Sequence, residues 1–555
     1  MKRNFYRLIF FLVLLIFLPY CQREPFDKSN TIVVAIQNDI ETTNPLYAVN
    51  LNDGAISNIL YPGLLEGKWN YKTGDVDYCP KLAKSWQWNS DSTSITILLH
   101  KNAFWVDGKP ITAKDVVFTF DLYSDPLVQS RYYGQFKNFY TDTVQHIILS
   151  KSFEVINPYE LIIHFKKNTV PNYFDISYPI LPEHIYKNVD RKNLVSAEKD
   201  IKPVGCGPYT LDKWEKNQAI ILKANKKSIF YKKGSADELI FKIVPDYNSR
   251  LAQLKSGEVD FVPEIKADDL PDLLKNKFLT YSVVKGRDYD YVAWNNIDPV
   301  VYSEQKRIVP NKLFSDVLVR KALTYAINRK AILEGFLNNN GQLATGPVSP
   351  VFSEAIDTSL TPLPYDPSKA KTLLAQAGWK NIGGTLTKNG IKFSFTLYYP
   401  SGNPLRTFAA SIIKNNLSQI GIDVKTEALE PGVFFNKMYQ REFNAWMAGW
   451  SVALPLDLKP LWYSSVPGGE FNLVTYQNKK LDNLLDEIET TKSNKLKNIN
   501  YKKIQQILYN DNPTTFLYWT NIIVVYNKRI HNVNITPTGA LDNCWNWTIG
   551  KKYNQ

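Results

Sequence analysis

The chain has little of what binds bare metals or staples small folds. Of its 555 residues, four are cysteine, five histidine and three methionine. So few cysteines exclude a disulfide scaffold, and a chain this long builds a core without one. Scattered histidines and scarce methionines disfavour bare nickel or copper as ligand, and no metal site is expected. No run of Lys and Arg exceeds two residues, although 66 basic against 53 acidic residues leave a net charge of +13. Polyanion binders concentrate such charge on one face or arm, so this excess reads as solvated surface and no nucleic acid is expected. The patterns His-Glu-x-x-His, Gly-x-Ser-x-Gly and Gly-x-x-x-x-Gly-Lys are missing, and the common zinc, serine and phosphate-loop chemistries with them. Aromatics are plentiful: 33 Tyr, 28 Phe and 13 Trp in a chain that is 44% hydrophobic, the composition of a globular protein with more than one lobe. The expectation from these absences is a protein that is not an enzyme and carries no cofactor.

The long apolar run sits at the N-terminus. Lys2, Arg3 and Arg7 lead into the eleven apolar residues 8–18. At 1.5 Å per residue this stretch falls short of roughly 30 Å of hydrocarbon, and residues 1–20 read as a signal peptide. Cys21 follows directly and resembles the lipobox cysteine of bacterial lipoproteins, although Pro19 and Tyr20 replace the usual small residues. That resemblance implies diacylglycerol on the Cys21 thiol, a polar tether over residues 21–30, and a periplasmic or otherwise extracytoplasmic protein held to a bacterial membrane. Plain secretion is the alternative. Cys79, Cys206 and Cys544 remain, either as one disulfide and a leftover thiol or as small buried residues with no bridge.

Hydrophobic patterning predicts strands over residues 31–36 (TIVVAI), 94–99 and 160–165. Thr112, with Asp115 three residues on, reads as the cap of a helix. Strands follow at 205–211, 219–223 and 238–244, then a helix over 249–256 closed by Gly257. A second block carries a helix pair (316–337), a helix at 367–377 ended by Gly378, a strand at 392–398, a helix at 408–420 stopped by Gly421, and a strand at 423–428. That alternation predicts an α/β lobe. Helices at 480–489 and 500–509 precede the apolar run 515–526, read as a long strand returning to the first lobe.

Several segments, in order, resemble the extracytoplasmic solute-binding proteins of family 5, the dipeptide/oligopeptide-binding group of ABC importers. Residues 60–66 (LYPGLLE), 80–86 (PKLAKSW), 104–116 (FWVDGKPITAKDV), 203–209 (PVGCGPY), 254–260 (LKSGEVD) and 319–329 (VRKALTYAINR) each match a family element. Most read as structural: Gly108 for a turn, Thr112 for a cap, Gly205 and Gly207 for unusual φ near packed backbone, Arg320 and Tyr325 for tying a helix to its lobe.

The resemblance implies a two-lobe, hinged α/β fold of the periplasmic-binding-protein type. Lobe I would span 31–290, discontinuous, with an inserted subdomain at about 69–190. Lobe II would span 291–515, and 516–555 would return to lobe I. A peptide or other small molecule would be enclosed between the lobes of a monomer and passed to an ABC permease and ATPase. The rival readings are a sugar oligomer or metal chelate in the same fold, a surface adhesion lipoprotein, and a hydrolase. The stretch 446–465 (WMAGWSVALPLDLKPLWYSS) resembles the family's cleft segment, which implies Trp446 and Trp450 as walls and Asp457 as the acid for a peptide amine. Asn38, Asp39 and Glu41 after the first strand, and Tyr289, Tyr291 and Asn295 on the crossing strand, complete the candidate ligand set.

Overall fold

The strand Thr31–Ile36 is almost wholly β-branched, all six residues are buried, and it lies between two parallel partners, Glu238–Ile243 and Phe261–Val262. A parallel strand covered on both faces needs this kind of continuous apolar run. In the computed structural model, which describes residues 30–464 and 471–550, it belongs to an eleven-stranded sheet that passes through both halves of the molecule. The expected signal peptide, Cys21 and all of the expected tether but Asn30 lie outside the described residues. Among the described residues no helix is long and apolar enough to cross a membrane.

Two long strands form the middle of the sheet. Leu279–Trp294 pairs antiparallel with Thr514–Asn527, from Leu279 opposite Asn527 to Ala293 opposite Thr514. On one side Leu279–Trp294 pairs with Ala445–Ser451, followed by the parallel strands Ser394–Pro400 and Asp423–Leu429. On the other side Thr514–Asn527 meets Phe261–Val262, which leads through Thr31–Ile36 to Glu238–Ile243, Ala219–Ala224 and Tyr209–Glu215. The apolar side chains divide accordingly. One core holds Ile32, Leu46, Ile97, Phe120 and Trp547; others gather around Trp294, Leu323 and Ile413, and around Phe434, Trp446 and Leu485. A four-stranded antiparallel sheet (Ala83–Trp88, Ser94–Leu99, Glu160–His164, Phe153–Asn157) and the hairpin Leu65–Asn70/Asp75–Pro80 are set into the first half.

Local rules explain the element ends. Thr112 and Asp115 form a capping box at the start of Ala113–Ser124, with the Thr112 N–H donating to Asp115 Oδ2 at 2.8 Å. Gly378 and Gly421 follow their helices at φ +87° and +88°, a region closed to most side chains. Arg320 is buried and its guanidinium donates to the carbonyls of Phe314, Ser315, Asp511 and Asn512, which ties Val317–Ala326 to the end of Asn494–Asp511. The strand expected from residue 205 starts only at Tyr209. Ahead of it, the Cys206 and Gly207 N–H groups donate to the Leu60 carbonyl rather than to a neighbouring strand. Gly205 and Gly207 are thus required by close approach and not by φ: a Cβ would lie 2.2 Å from Leu60 O and 1.8 Å from Ile59 O, respectively. Cys79, Cys206 and Cys544 are free thiols, and burial pushes those of Cys206 and Cys544 upward.

Candidate functional site

The regular pairing of the two long strands breaks between Lys285 and Tyr289 and again between Asp290 and Tyr291. Such breaks spoil the two-residue alternation, so neighbouring side chains can reach the same side. Here Arg287, Asp288, Tyr289 and Asp290, four in succession, all line a cleft of about 1100 Å³. Its other walls come from both halves: the helix Leu51–Leu60 and the segment 263–267 on one side, Arg406 and the end of Ala445–Ser451 on the other. The C-terminal segment 537–545 lines it as well. The volume lies just above the usual small-molecule range of roughly 300–1,000 Å³. Two apolar residues at its edge, Val49 and Leu51, are 68% and 84% exposed.

Both signs of charge meet in the cleft. Arg406 holds the buried Asp290 through Nη2–Oδ1 (2.8 Å) and Nε–Oδ1 (3.2 Å), and the Tyr518 hydroxyl donates to Oδ2. Burial works to lower the Arg406 guanidinium, but Asp290 overrides it and holds it above its ordinary value. The pair needs a glycine beside it, since a Cβ at Gly449 would come within 2.4 Å of both Arg406 Nη2 and Asp290 Oδ1. Arg287 donates to the Pro537 and Val452 carbonyls, fixing the C-terminal segment and the strand end beside the bulge. Asp542 accepts from the Thr538 hydroxyl, and burial raises its carboxyl. Asp288 is exposed to the cleft and makes no ion pair among the described residues.

The candidates from the sequence separate into groups. Tyr289 and Trp450 line the cleft. Tyr291 and Trp446 line a second, smaller pocket of about 30 Å³, which Tyr289 also touches. Asn295 is fully buried and donates to the Phe443 carbonyl (2.9 Å), a backbone-satisfying role. Asp39 is away from the cleft lining because its carboxylate is taken up by Trp214 Nε1 (3.0 Å) and the Asn217 N–H (2.7 Å). Asn38 and Glu41 are exposed beside it and do not line the cleft, although Gln37 does. Asp457 is exposed and outside the cleft lining; it accepts from the Lys459 N–H at 2.9 Å, at the start of the short helix Lys459–Trp462. Sequence reasoning missed Asp288, Asp290, Arg406 and Asp542. The first two flank a candidate that was chosen, and only the bulges put them in the cleft.

Comparisons with known proteins agree with this geometry. Residues 77–472 match the family model of bacterial extracellular solute-binding proteins, family 5. The chain is 31% identical over 563 aligned positions to the oligopeptide-binding protein AppA of Bacillus subtilis strain 168, covering 97% of each chain. The solved structure of B. subtilis AppA with a nonapeptide superposes with a TM-score of 0.76 at 29% identity, over 94% of this chain and 99% of that one. NikZ of Campylobacter jejuni, solved with Ni(L-His), gives 0.75 at 26% identity over 94% and 99%. A two-lobe fold, an interlobe cleft and similarity along nearly the whole length lead to one assignment: the chain belongs to the bacterial extracellular solute-binding proteins of family 5, and is a solute-binding protein rather than an enzyme.

Proposed function

We propose that this protein captures peptides in the interlobe cleft and delivers them to an ABC permease and its ATPase. The carrying observation is Asp288, a carboxylate exposed to the cleft with no ion pair among the described residues, opposite Ser451 on the neighbouring strand. A peptide ammonium can pair with it beside the Arg287 guanidinium, which already feels the Asp288 charge, and the exposed Arg131 and Lys266 on the other side can meet a carboxylate. Similarity to a protein solved with a nonapeptide supports the same reading. Residues 31–290 and 516–555 form lobe I, with a subdomain inserted at about 69–190, and 291–515 form lobe II. The protein acts as a monomer, exported by residues 1–20 and anchored through lipid on Cys21, with residues 21–30 as tether.

Native mass spectrometry of freshly purified protein is expected to find co-purified peptides. Titration calorimetry then separates the roles. Asp288→Asn should weaken a free-amine peptide roughly tenfold, about 1.4 kcal/mol, and leave its N-acetylated form nearly unaffected. Equal losses for both forms would remove Asp288 as the amine partner. Failure of every peptide to bind, with a metal–amino-acid chelate binding instead, would overturn the peptide reading.

A further inference from the structure

We infer that the rim of the cleft around Asn50 seats the C-terminal residue of the bound peptide, with its carboxylate on Arg131 and an apolar side chain against Val49 and Leu51. The inference rests on the cleft being a peptide site; it names one end of the ligand and the residue class preferred there. Leu51, 84% exposed, and Val49, 68% exposed, are the two most exposed large apolar side chains among the described residues, and both line the cleft. Exposed apolar groups rimmed by polar ones mark a binding surface.

The backbone that carries them is fixed. Between the two, Asn50 stands as the cap of the helix Leu51–Leu60, and its N–H donates to Asp53 Oδ2 at 3.4 Å. The Glu41 N–H donates to the other oxygen of Asp53 at 3.0 Å, and Asp53 is fully buried, so the rim is held from within. The segment 128–131 packs against the same rim. The Tyr47 hydroxyl donates to the Val128 carbonyl at 3.0 Å, and the Arg131 N–H to the Leu46 carbonyl at 2.8 Å. Arg131 lines the cleft as well. Its guanidinium lies over the Tyr132 ring, 5.0 Å from the centroid, and makes no hydrogen bond or ion pair among the described residues. A carboxylate takes two parallel hydrogen bonds from such a fork. In a peptide the main-chain carboxylate belongs to the C-terminal residue, so a guest held there brings that residue's side chain to the rim. An apolar side chain gains by covering Val49 and Leu51, whereas a charged one loses hydration for no partner.

The test is capture from a synthetic pool of free-acid peptides randomised at every position, the bound fraction being sequenced by mass spectrometry. At the C-terminal position Leu, Ile, Val and Phe should be enriched over Ser, Asn and Gly by about three- to tenfold, the gain from burying roughly half of such a side chain. The double variant Val49→Thr, Leu51→Asn keeps size and removes apolar surface, and should bring that ratio toward unity. A C-terminally amidated copy of the pool should be captured about tenfold less well by the wild type, and Arg131→Gln should erase the difference. Both readouts are ratios within one protein sample, so they do not depend on how much of a variant folds. Peptides captured with no C-terminal preference, with one that the double variant leaves unchanged, or equally from the acid and amidated pools would overturn the seat and leave the peptide reading standing. An equal loss of all peptides by the double variant would assign the rim to contact with Phe336 and Leu337 of the other half, which also line the cleft, and overturn the seat likewise. Capture of no peptide by the wild type would overturn the peptide reading and the seat together.

Discussion

Asp175 shows how a single side chain reports its surroundings. It is buried, with Asn138 Nδ2 at 3.0 Å from both oxygens and the Asn172 N–H at 2.7 Å. Desolvation pushes its carboxyl up to about 6 against the lowering effect of those hydrogen bonds. A carboxyl raised on folding adds stability that is fully present below its unfolded value near 3.9 and is lost as pH rises through about 6. Asp175→Asn does not titrate. Its stability relative to wild type should therefore improve between pH 4 and pH 7, by on the order of 3 kcal/mol at most. Urea unfolding of both proteins at the two pH values checks this, and a constant difference would mean that Asp175 ionises freely when folded. The cleft residues follow a related logic that sequence spacing hides. Asp457 and Asp288 are both acids near aromatic residues in the sequence. Only the pairing of Asp288 with Ser451, from segments more than 160 positions apart, turns one toward the cleft while the other remains an exposed turn residue.

Elements were read best where their ends obey local chemistry. Thr112 with Asp115, and the glycines at 378 and 421, mark helix limits that need no distant partner. The apolar runs 31–36 and 515–526 announced the central strands for the same reason, since burial on both faces is written in composition. The first half of Leu279–Trp294 was missed because its apolar residues do not mark a buried face: beyond the buried Leu279, Tyr281 and Val283 are exposed while Thr280, Ser282 and Val284 are half-buried. Its bulges are also non-local, arising where two long strands adjust to each other. Gly286 lies in this region, its carbonyl accepting from the Ser349 hydroxyl, and a Cβ there would stand 2.4 Å from the Thr520 carbonyl oxygen. Backbone on that side cannot rotate away as a flexible side chain would. Gly286→Ala should cost about 1–3 kcal/mol, the usual range for overpacking, measured by urea unfolding. A neutral effect would mean that the crossing strands part easily at the bulge.

At the scale of the molecule, the two halves are joined by more than the crossing strands. The turn of the hairpin Leu65–Asn70/Asp75–Pro80 lies against residues 351–353, where the Ser353 hydroxyl donates to the Lys72 carbonyl and Trp69 meets Phe352 edge-on at 6.1 Å. Lys137 pairs with Glu489, and Lys492 donates to the Asp91 carbonyl. These ionic contacts are solvent-exposed, and such pairs contribute little, about 0–1 kcal/mol. The apolar hairpin contact is the firmer of the two. Opening therefore has its least resistance across the cleft, whose facing walls share no element except the bulged strands. A ligand that touches both walls adds free energy to the closed arrangement alone, and that difference drives the population. Small-angle scattering on the wild type should show a smaller radius of gyration at saturating peptide than without it. The compaction should vanish with a peptide too short to reach Asp288 and the opposite wall together. An unchanged radius at saturation would mean capture without closure, and a permease would then have to read the bound peptide itself rather than the shape of its carrier.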